Sequence, residues 1–89
     1  MKHIVKRAGH EETFDPKKVY ASVYAACLAV RAERQEAELL AGEVMKDLEK
    51  WVADKHQVTS HQIAEQTVAS LRLYNSDAAY LYQHHRDIS

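Results

Sequence analysis

The placement of glycine and proline constrains this chain more than any other feature of its sequence. The 89 residues include two glycines and one proline, and Gly9 and Pro16 both fall within the first sixteen residues. An all-β fold needs a tight turn after most of its strands, and such turns depend on these residue types. Long flexible linkers need them as well. The sequence therefore predicts one short turn-containing segment at the N-terminus, followed by long helices.

The N-terminal segment predicts a small β-hairpin. Two short runs, residues 3–7 and 10–14, are separated by Ala8 and Gly9. A two-residue link that contains glycine is typical of a hairpin, and a longer turn with Gly9 in the left-handed conformation fits equally well. Asp15 and Pro16 follow directly. Aspartate is a common N-cap residue, and proline is favoured at the first position of a helix. A helix is expected to begin there.

The rest of the chain has the periodicity of amphipathic helices. A second helix is expected from about residue 33 to residue 54, a third after the capping box of Thr59 and Gln62, and a fourth after the interruption at residues 75–77. The residues expected to face the core are Val19, Val23, Ala26, Cys27 and Val30, then Leu39, Leu40, Val44, Leu48, Trp51 and Val52, then Ile63, Thr67, Val68 and Leu71, and finally Ala78, Ala79, Leu81, Tyr82 and His85.

The fold class expected is α+β but mostly α, a four-helix bundle covered by a small N-terminal β-hairpin or sheet. Its length suits a single domain over residues 1–89. Gly42 lies inside the second helix, where glycine costs about 1 kcal/mol relative to alanine, and this predicts close contact with a neighbouring helix. Residues 55–58 are predicted to form a connection.

Composition argues against several classes of function. Twelve Lys and Arg against thirteen Asp and Glu give a net charge of -1, without the basic excess of a duplex-DNA-binding domain. The single cysteine, Cys27, excludes a disulfide framework and a multi-cysteine zinc site, and it suggests a reducing compartment. No apolar run approaches the ~20 residues of a membrane span. We expect a cytoplasmic protein with neither membrane nor nucleic acid as a partner.

No catalytic or metal-binding constellation is recognisable. The histidine pairs lack the three- or four-residue spacing that brings two ligands together on a helix, as His56 and His61 show. Cys27 lies on an apolar stripe with no base placed to activate it, which is typical of a small buried hydrophobe. A phosphate-binding P-loop and a nucleophile elbow are also lacking. The sequence predicts no catalytic residue, no metal ligand and no enzymatic activity.

The charged residues of the hairpin and of the first helix start form the best candidate site. Lys6 and Lys18 can converge with the backbone amides at the helix start, which is a suitable cradle for phosphate. Glu12 and Asp15 supply acceptors for an adenine amino group or a ribose hydroxyl. The alternative is a charged hairpin whose surface ion pairs contribute about 0–1 kcal/mol each, and residue spacing alone favours that alternative.

Three motifs, the first of which has two parts, lie in the right order over residues 3–88 and resemble those of the ATP-cone domain family. Residues 4–9 resemble its hydrophobic residue followed by Lys-Arg-Asp/Asn-Gly, and residues 14–19 resemble its Phe-Asp-x-x-Lys-Ile helix start. Residues 58–65 resemble its Val-Ser-Ser-x-x-Ile-x-Glu segment, and residues 77–80 the Asp-x-x-Ala-Tyr opening of its last helix. Ala8 departs from the pattern, and Ala64 stands where some reductase cones have a histidine near the sugar.

The resemblance implies a regulatory domain that binds ATP or dATP, with Mg²⁺, and that controls the oligomeric state or activity of a ribonucleotide reductase or a related protein. Expected partners are the adenine nucleotide and either further copies of the chain or an attached or separate reductase. Repressor members carry a four-cysteine zinc ribbon, which one cysteine cannot supply, so a free-standing cone or an isolated regulatory domain is expected. The alternative function is a helical protein–protein interaction domain that has lost nucleotide binding. The nucleotide-binding residues implied are Val5, Lys6, Arg7, Glu12, Asp15, Lys18, Val19 and Ser60.

Overall fold

A computed structural model describes the backbone of residues 4–7 and 10–88 and the side chains of residues 14–84. In these residues the chain forms four helices and three short strands. The predictions of a mostly helical fold and of four helices are confirmed. The elements are β1 (Ile4–Arg7), β2 (His10–Thr13), α1 (Pro16–Ala29), α2 (Arg34–Val52), β3 (Gln57–Thr59), α3 (Ser60–Tyr74) and α4 (Ser76–Ile88).

The three strands form one sheet in the order β2-β1-β3. β1 pairs antiparallel with β2, and Val5 lies opposite Glu12. On its other side β1 pairs in parallel with β3, and Val5 and Lys6 lie opposite Val58 and Thr59. The turn between β1 and β2, residues 8 and 9, lies outside the described residues, so the hairpin turn stays a prediction.

The prediction that residues 55–58 are only a connection is wrong, because β3 begins within this segment at Gln57. Val58 is 2% exposed, while its neighbours Gln57 and Thr59 are exposed. A strand of three residues is too short to show a two-residue hydrophobic period, so only the pairing with β1 reveals it.

The start of α1 is formed as the sequence predicts. Asp15 is the N-cap, its Oδ1 accepts a hydrogen bond from the backbone N–H of Lys17 at 3.0 Å, and Pro16 is the first helical residue. Such a cap satisfies one of the N–H groups that a helix leaves without a carbonyl partner.

The end of α1 is a Schellman motif, which the sequence did not predict. The backbone N–H of Ala32 donates to the carbonyl of Cys27 at 3.0 Å, and that of Arg31 donates to the carbonyl of Leu28 at 3.0 Å. Arg31 has a φ of 66°, in the left-handed region that usually requires glycine. An arginine at this position gives no sequence signal for the motif.

The core consists of two clusters of buried residues. The first, in the part of the bundle away from the sheet, joins all four helices and includes Val23, Cys27 and Leu71, each 0% exposed. We call the second the sheet-side cluster, because it joins α2 and α3 to β3. Its buried members are Met45, Leu48, Val52, Val58 and Ile63, and Phe14, Val19, Tyr20 and Trp51 pack against it.

Most of the residues predicted to face the core do so, but Leu39 does not, and the side chain of His85 lies outside the described residues. Its exposed fraction is 69%, whereas Ala37 and Ala41, two residues away on either side, are fully buried. The small alanine side chains therefore form the contact face at this end of α2. Because many apolar side chains remain on protein surfaces, the presence of a leucine does not itself locate the buried face.

The prediction that Gly42 makes a close helix contact is also wrong. A Cβ atom added at Gly42 would meet nothing within 4 Å. The glycine therefore retains its conformational cost without making room for a neighbour.

Gly42→Ala is accordingly expected to raise the free energy of unfolding by about 0.5–1 kcal/mol, because alanine loses less backbone entropy in a helix. Urea denaturation of the two proteins measures the difference. A lower free energy of unfolding for the alanine variant would contradict the conclusion that there is room for a side chain at residue 42.

Candidate functional site

The end of β1 meets the start of α3. Lys6 in β1 lies opposite Thr59, which is both the last residue of β3 and the N-cap of α3. Thr59 Oγ1 accepts from the N–H of Gln62 at 3.0 Å, and Gln62 Oε1 accepts from the N–H of Thr59 at 2.9 Å. The predicted capping box is therefore confirmed. Since a helix N-terminus carries partial positive charge, this junction places Lys6 beside a region that favours an anion.

The start of α1 has a different electrostatic character. Its N-cap is the carboxylate of Asp15, whereas the N-cap of α3 is the neutral hydroxyl of Thr59. A carboxylate at the end of a helix already compensates the positive end of the helix dipole. Lys17 and Lys18 follow in the first turn of α1, and both side chains are exposed. At the start of α1, the positive charge thus comes from the lysines. At the start of α3, the helix terminus itself also contributes positive charge.

The eight residues implied by the resemblance lie on four elements around the sheet. The register divides them into two groups, one at each end of β1. Lys6 and Arg7 lie at the end of β1 next to α3, and Thr13, which precedes the α1 start, lies opposite Ile4 at the other end. Four strand residues span ~10 Å, so an extended ligand could contact both groups. The side chains of Val5, Lys6, Arg7 and Glu12 lie outside the described side chains, while Asp15 and Lys18 are exposed and Val19 and Ser60 are half-buried.

Three residues that were not assigned to the site pair or pack with its members. Val58 pairs with Val5, and Phe14 and Trp51 pack with it in the sheet-side cluster. Val19, an implied site residue, belongs to the same cluster. The Nζ atom of Lys55 lies 4.7 Å from the centre of a Trp51 ring and donates to the Trp51 carbonyl at 2.9 Å. Trp51 and Lys55 are four positions apart, and this spacing is the one sequence signal for their contact. The spacing by itself does not indicate a ligand site.

A groove of about 320 Å³ runs between α3 and α4, beginning at the first turn of α3. Ala64 forms part of its wall, together with Arg72 and Gln83. His61 Nε2 lies 3.0 Å from Glu65 Oε1 at the groove. The small side chain of Ala64 leaves the groove open next to the α3 N-terminus.

Asp47 connects α2 to α3. Ser70 Oγ and the Tyr74 hydroxyl both donate to Asp47 Oδ2, at 2.7 and 3.0 Å. The hydrogen bond to Asp47 raises the pKa of Tyr74 above its usual value, and desolvation and the charges of Asp47 and Glu43 act in the same direction. A phenol can donate only while it is protonated. The stability that the Tyr74–Asp47 hydrogen bond contributes is therefore present below the unfolded pKa of about 10, and it is lost as the pH rises through the folded pKa. The two helices are therefore joined by this network at neutral pH.

The remaining reactive groups of the described region lie elsewhere. Cys27 is fully buried, as predicted, and desolvation together with the charge of Glu36 raises the pKa of its thiol. Among residues whose side chains are described, no group of three His, Cys, Asp or Glu side chains is arranged to hold a metal ion. Within the same part of the chain, no helix is both long and apolar enough to cross a membrane.

Comparison with known proteins identifies the family. The model of the ATP cone domain family matches residues 2–88. The transcriptional repressor NrdR of Thermosynechococcus vestitus is 30% identical over 78 residues, which are 88% of this chain and 46% of the repressor. The chain thus spans about half the length of this curated relative. No solved structure gives a significant match. Because the family model covers nearly the whole sequence, this chain belongs to the ATP-cone domain family.

Proposed function

We propose that this chain binds an adenine nucleotide, ATP or dATP, and that it acts as a regulatory sensor of that nucleotide. The observation that carries the proposal is the register of Lys6 with Thr59, which joins the Lys-Arg motif of β1 to the N-terminus of α3. A basic strand end next to a helix N-terminus favours a polyphosphate, because both the side-chain charges and the helix dipole are positive. Membership of the ATP-cone family supports adenine as the base.

In this proposal Lys6, Arg7 and Lys18 bind the phosphates, and Ser60 contacts the ligand from the first position of α3. Arginine presents a planar fork of donors to phosphate oxygens, whereas lysine acts as a compact charge. Mg²⁺ would accompany the nucleotide through phosphate oxygens and water, as it usually does in nucleotide sites. The exposed position of Lys18 in the first turn of α1 is consistent with this role.

The base and sugar are proposed to lie beside β2 and the N-cap residue of α1. Glu12 and Asp15 would accept hydrogen bonds from the adenine amino group or a ribose hydroxyl. Asp15 Oδ1 already accepts from the Lys17 N–H, so its Oδ2 is the atom offered to the ligand. Val5 and Val19 would form the apolar walls, and the packing of Val19 in the sheet-side cluster supports a rigid wall there.

We propose that the bound nucleotide regulates and is not hydrolysed. The responding protein would be a ribonucleotide reductase or a related regulator in the cytoplasm, and the relative named above is itself a transcriptional repressor. A domain of this size can respond by a small helix movement or by changing a surface that contacts another chain. Sedimentation velocity with ATP, with dATP and without ligand distinguishes a change in self-association from an effect on a separate partner.

Calorimetry on the Lys6→Ala variant tests the site. Loss of one charge-assisted hydrogen bond is expected to weaken ATP binding about tenfold, or ~1.4 kcal/mol. Lys46→Ala is the matched control, because Lys46 is an exposed lysine on α2 whose Nζ atom pairs with Glu43 Oε1 at 3.3 Å. The Lys46→Ala variant should bind ATP with the affinity of the wild type.

Two outcomes of this calorimetry would contradict the proposal. Equal affinities of Lys6→Ala and the wild type would show that Lys6 does not contact the ligand. Failure of the wild type to bind ATP or dATP would favour the alternative of an interaction domain without a nucleotide.

A further inference from the structure

We infer that Thr59 is a positioning residue for nucleotide binding, because it connects the strand that carries Lys6 to the first turn of α3. The inference rests on the nucleotide site proposed above. Thr59 itself need not touch the ligand in this account. Its role is to hold two ligand-binding elements in a fixed relation.

The backbone of Thr59 supplies the first connection. Thr59 ends β3 and lies opposite Lys6, and α3 begins at the next residue, Ser60, without an intervening loop. Its extended conformation, with φ -96° and ψ 156°, is shared by the strand and the cap. Val58, 2% exposed in the sheet-side cluster, anchors β3 just before this junction. A displacement of β1 relative to α3 would therefore strain the backbone at residue 59.

The side chain of Thr59 supplies the second connection. Its hydroxyl accepts from the Gln62 N–H at 3.0 Å, and the Gln62 side chain returns a bond to the Thr59 N–H at 2.9 Å. These reciprocal bonds fix the orientation of the strand end relative to the helix axis. Without the hydroxyl the peptide chain stays continuous, but the hydrogen bond that sets this orientation is lost.

This junction matters for nucleotide binding because the proposed ligand contacts lie on both sides of the junction. Lys6 and Arg7 belong to β1, and Ser60 belongs to α3. A nucleotide can contact both elements only when their separation is correct, and freedom at the junction must be lost on binding. Thr59 removes that freedom in advance.

The test compares two helix caps in one protein. Thr59→Ala removes the cap of α3, and Asn75→Ala removes the cap of α4, where Asn75 Oδ1 accepts from the Ala78 N–H at 3.0 Å. Both variants should melt lower than the wild type by about 4–8 °C, as expected for a lost cap in a domain of this size. Only Thr59→Ala should also weaken ATP binding, by about tenfold. Thr59→Ser keeps the hydroxyl and should restore affinity.

Amide hydrogen exchange without nucleotide provides a readout that does not depend on binding. The β1 amides should exchange faster in Thr59→Ala than in Asn75→Ala at matched conditions. Equal exchange in the two variants, or equal ATP affinity, would overturn the inference. If the wild type itself fails to bind ATP, the proposed function is wrong, and the exchange comparison still decides whether Thr59 positions β1.

Discussion

Leu48→Ala is expected to lower the free energy of unfolding by about 2–5 kcal/mol, the range for deleting a large buried side chain from a core. Leu48 is 1% exposed. It lies on α2 in the sheet-side cluster, which also contains residues of β3 and α3. Small domains have a total stability near the lower end of 5–15 kcal/mol. The substitution thus removes a large fraction of the stability, and urea denaturation measures it.

Leu39→Ala is the matched control for this experiment. Both leucines lie on α2, but Leu39 is 69% exposed. Its substitution should change the stability by less than about 0.5 kcal/mol, as is usual for surface positions. A loss similar to that of Leu48→Ala would contradict the orientation of α2 described here.

The second large effect expected is stabilisation by the ligand. ATP at 100 times its dissociation constant should raise the free energy of unfolding by about 2.7 kcal/mol. The physical reason is that Lys6 and the α3 N-terminus come together only through the folded sheet, so the unfolded chain offers no equivalent site. Thermal unfolding measures this as an increase of about 10–20 °C in the melting temperature. dATP should act similarly, and GTP should not.

The Lys6→Ala variant shows how the stabilisation by ATP depends on affinity. At the same ATP concentration a tenfold weaker affinity leaves a stabilisation of about 1.4 kcal/mol. The fluorescence of Trp51, the one tryptophan of the chain, is an independent readout, because Trp51 packs in the same cluster as Val19. An ATP-independent melting temperature would contradict the proposed function, and an equal shift with GTP would contradict the role of adenine.

Local signals predicted well where helices begin. The N-cap at Asp15 and the capping box of Thr59 and Gln62 occur where the sequence predicts them. Asn75 likewise ends α3 and caps α4. Each of these features depends on hydrogen bonds between residues at most a few positions apart, so the partners are adjacent in the sequence. The family was recognised for a related reason, since its motifs are short and keep their order along the chain.

Features that depend on distant residues were decided by the tertiary structure alone. The exposure of Leu39 and the burial of Ala37 depend on which face of α2 the other helices cover. β3 exists because β1, more than fifty positions earlier in the chain, pairs with it. The same pairing brings Lys6 to Thr59, and so it decides which helix N-terminus lies beside the Lys-Arg motif. Sequence patterns report local conformation, but burial and strand pairing are settled by the packing of whole elements against one another.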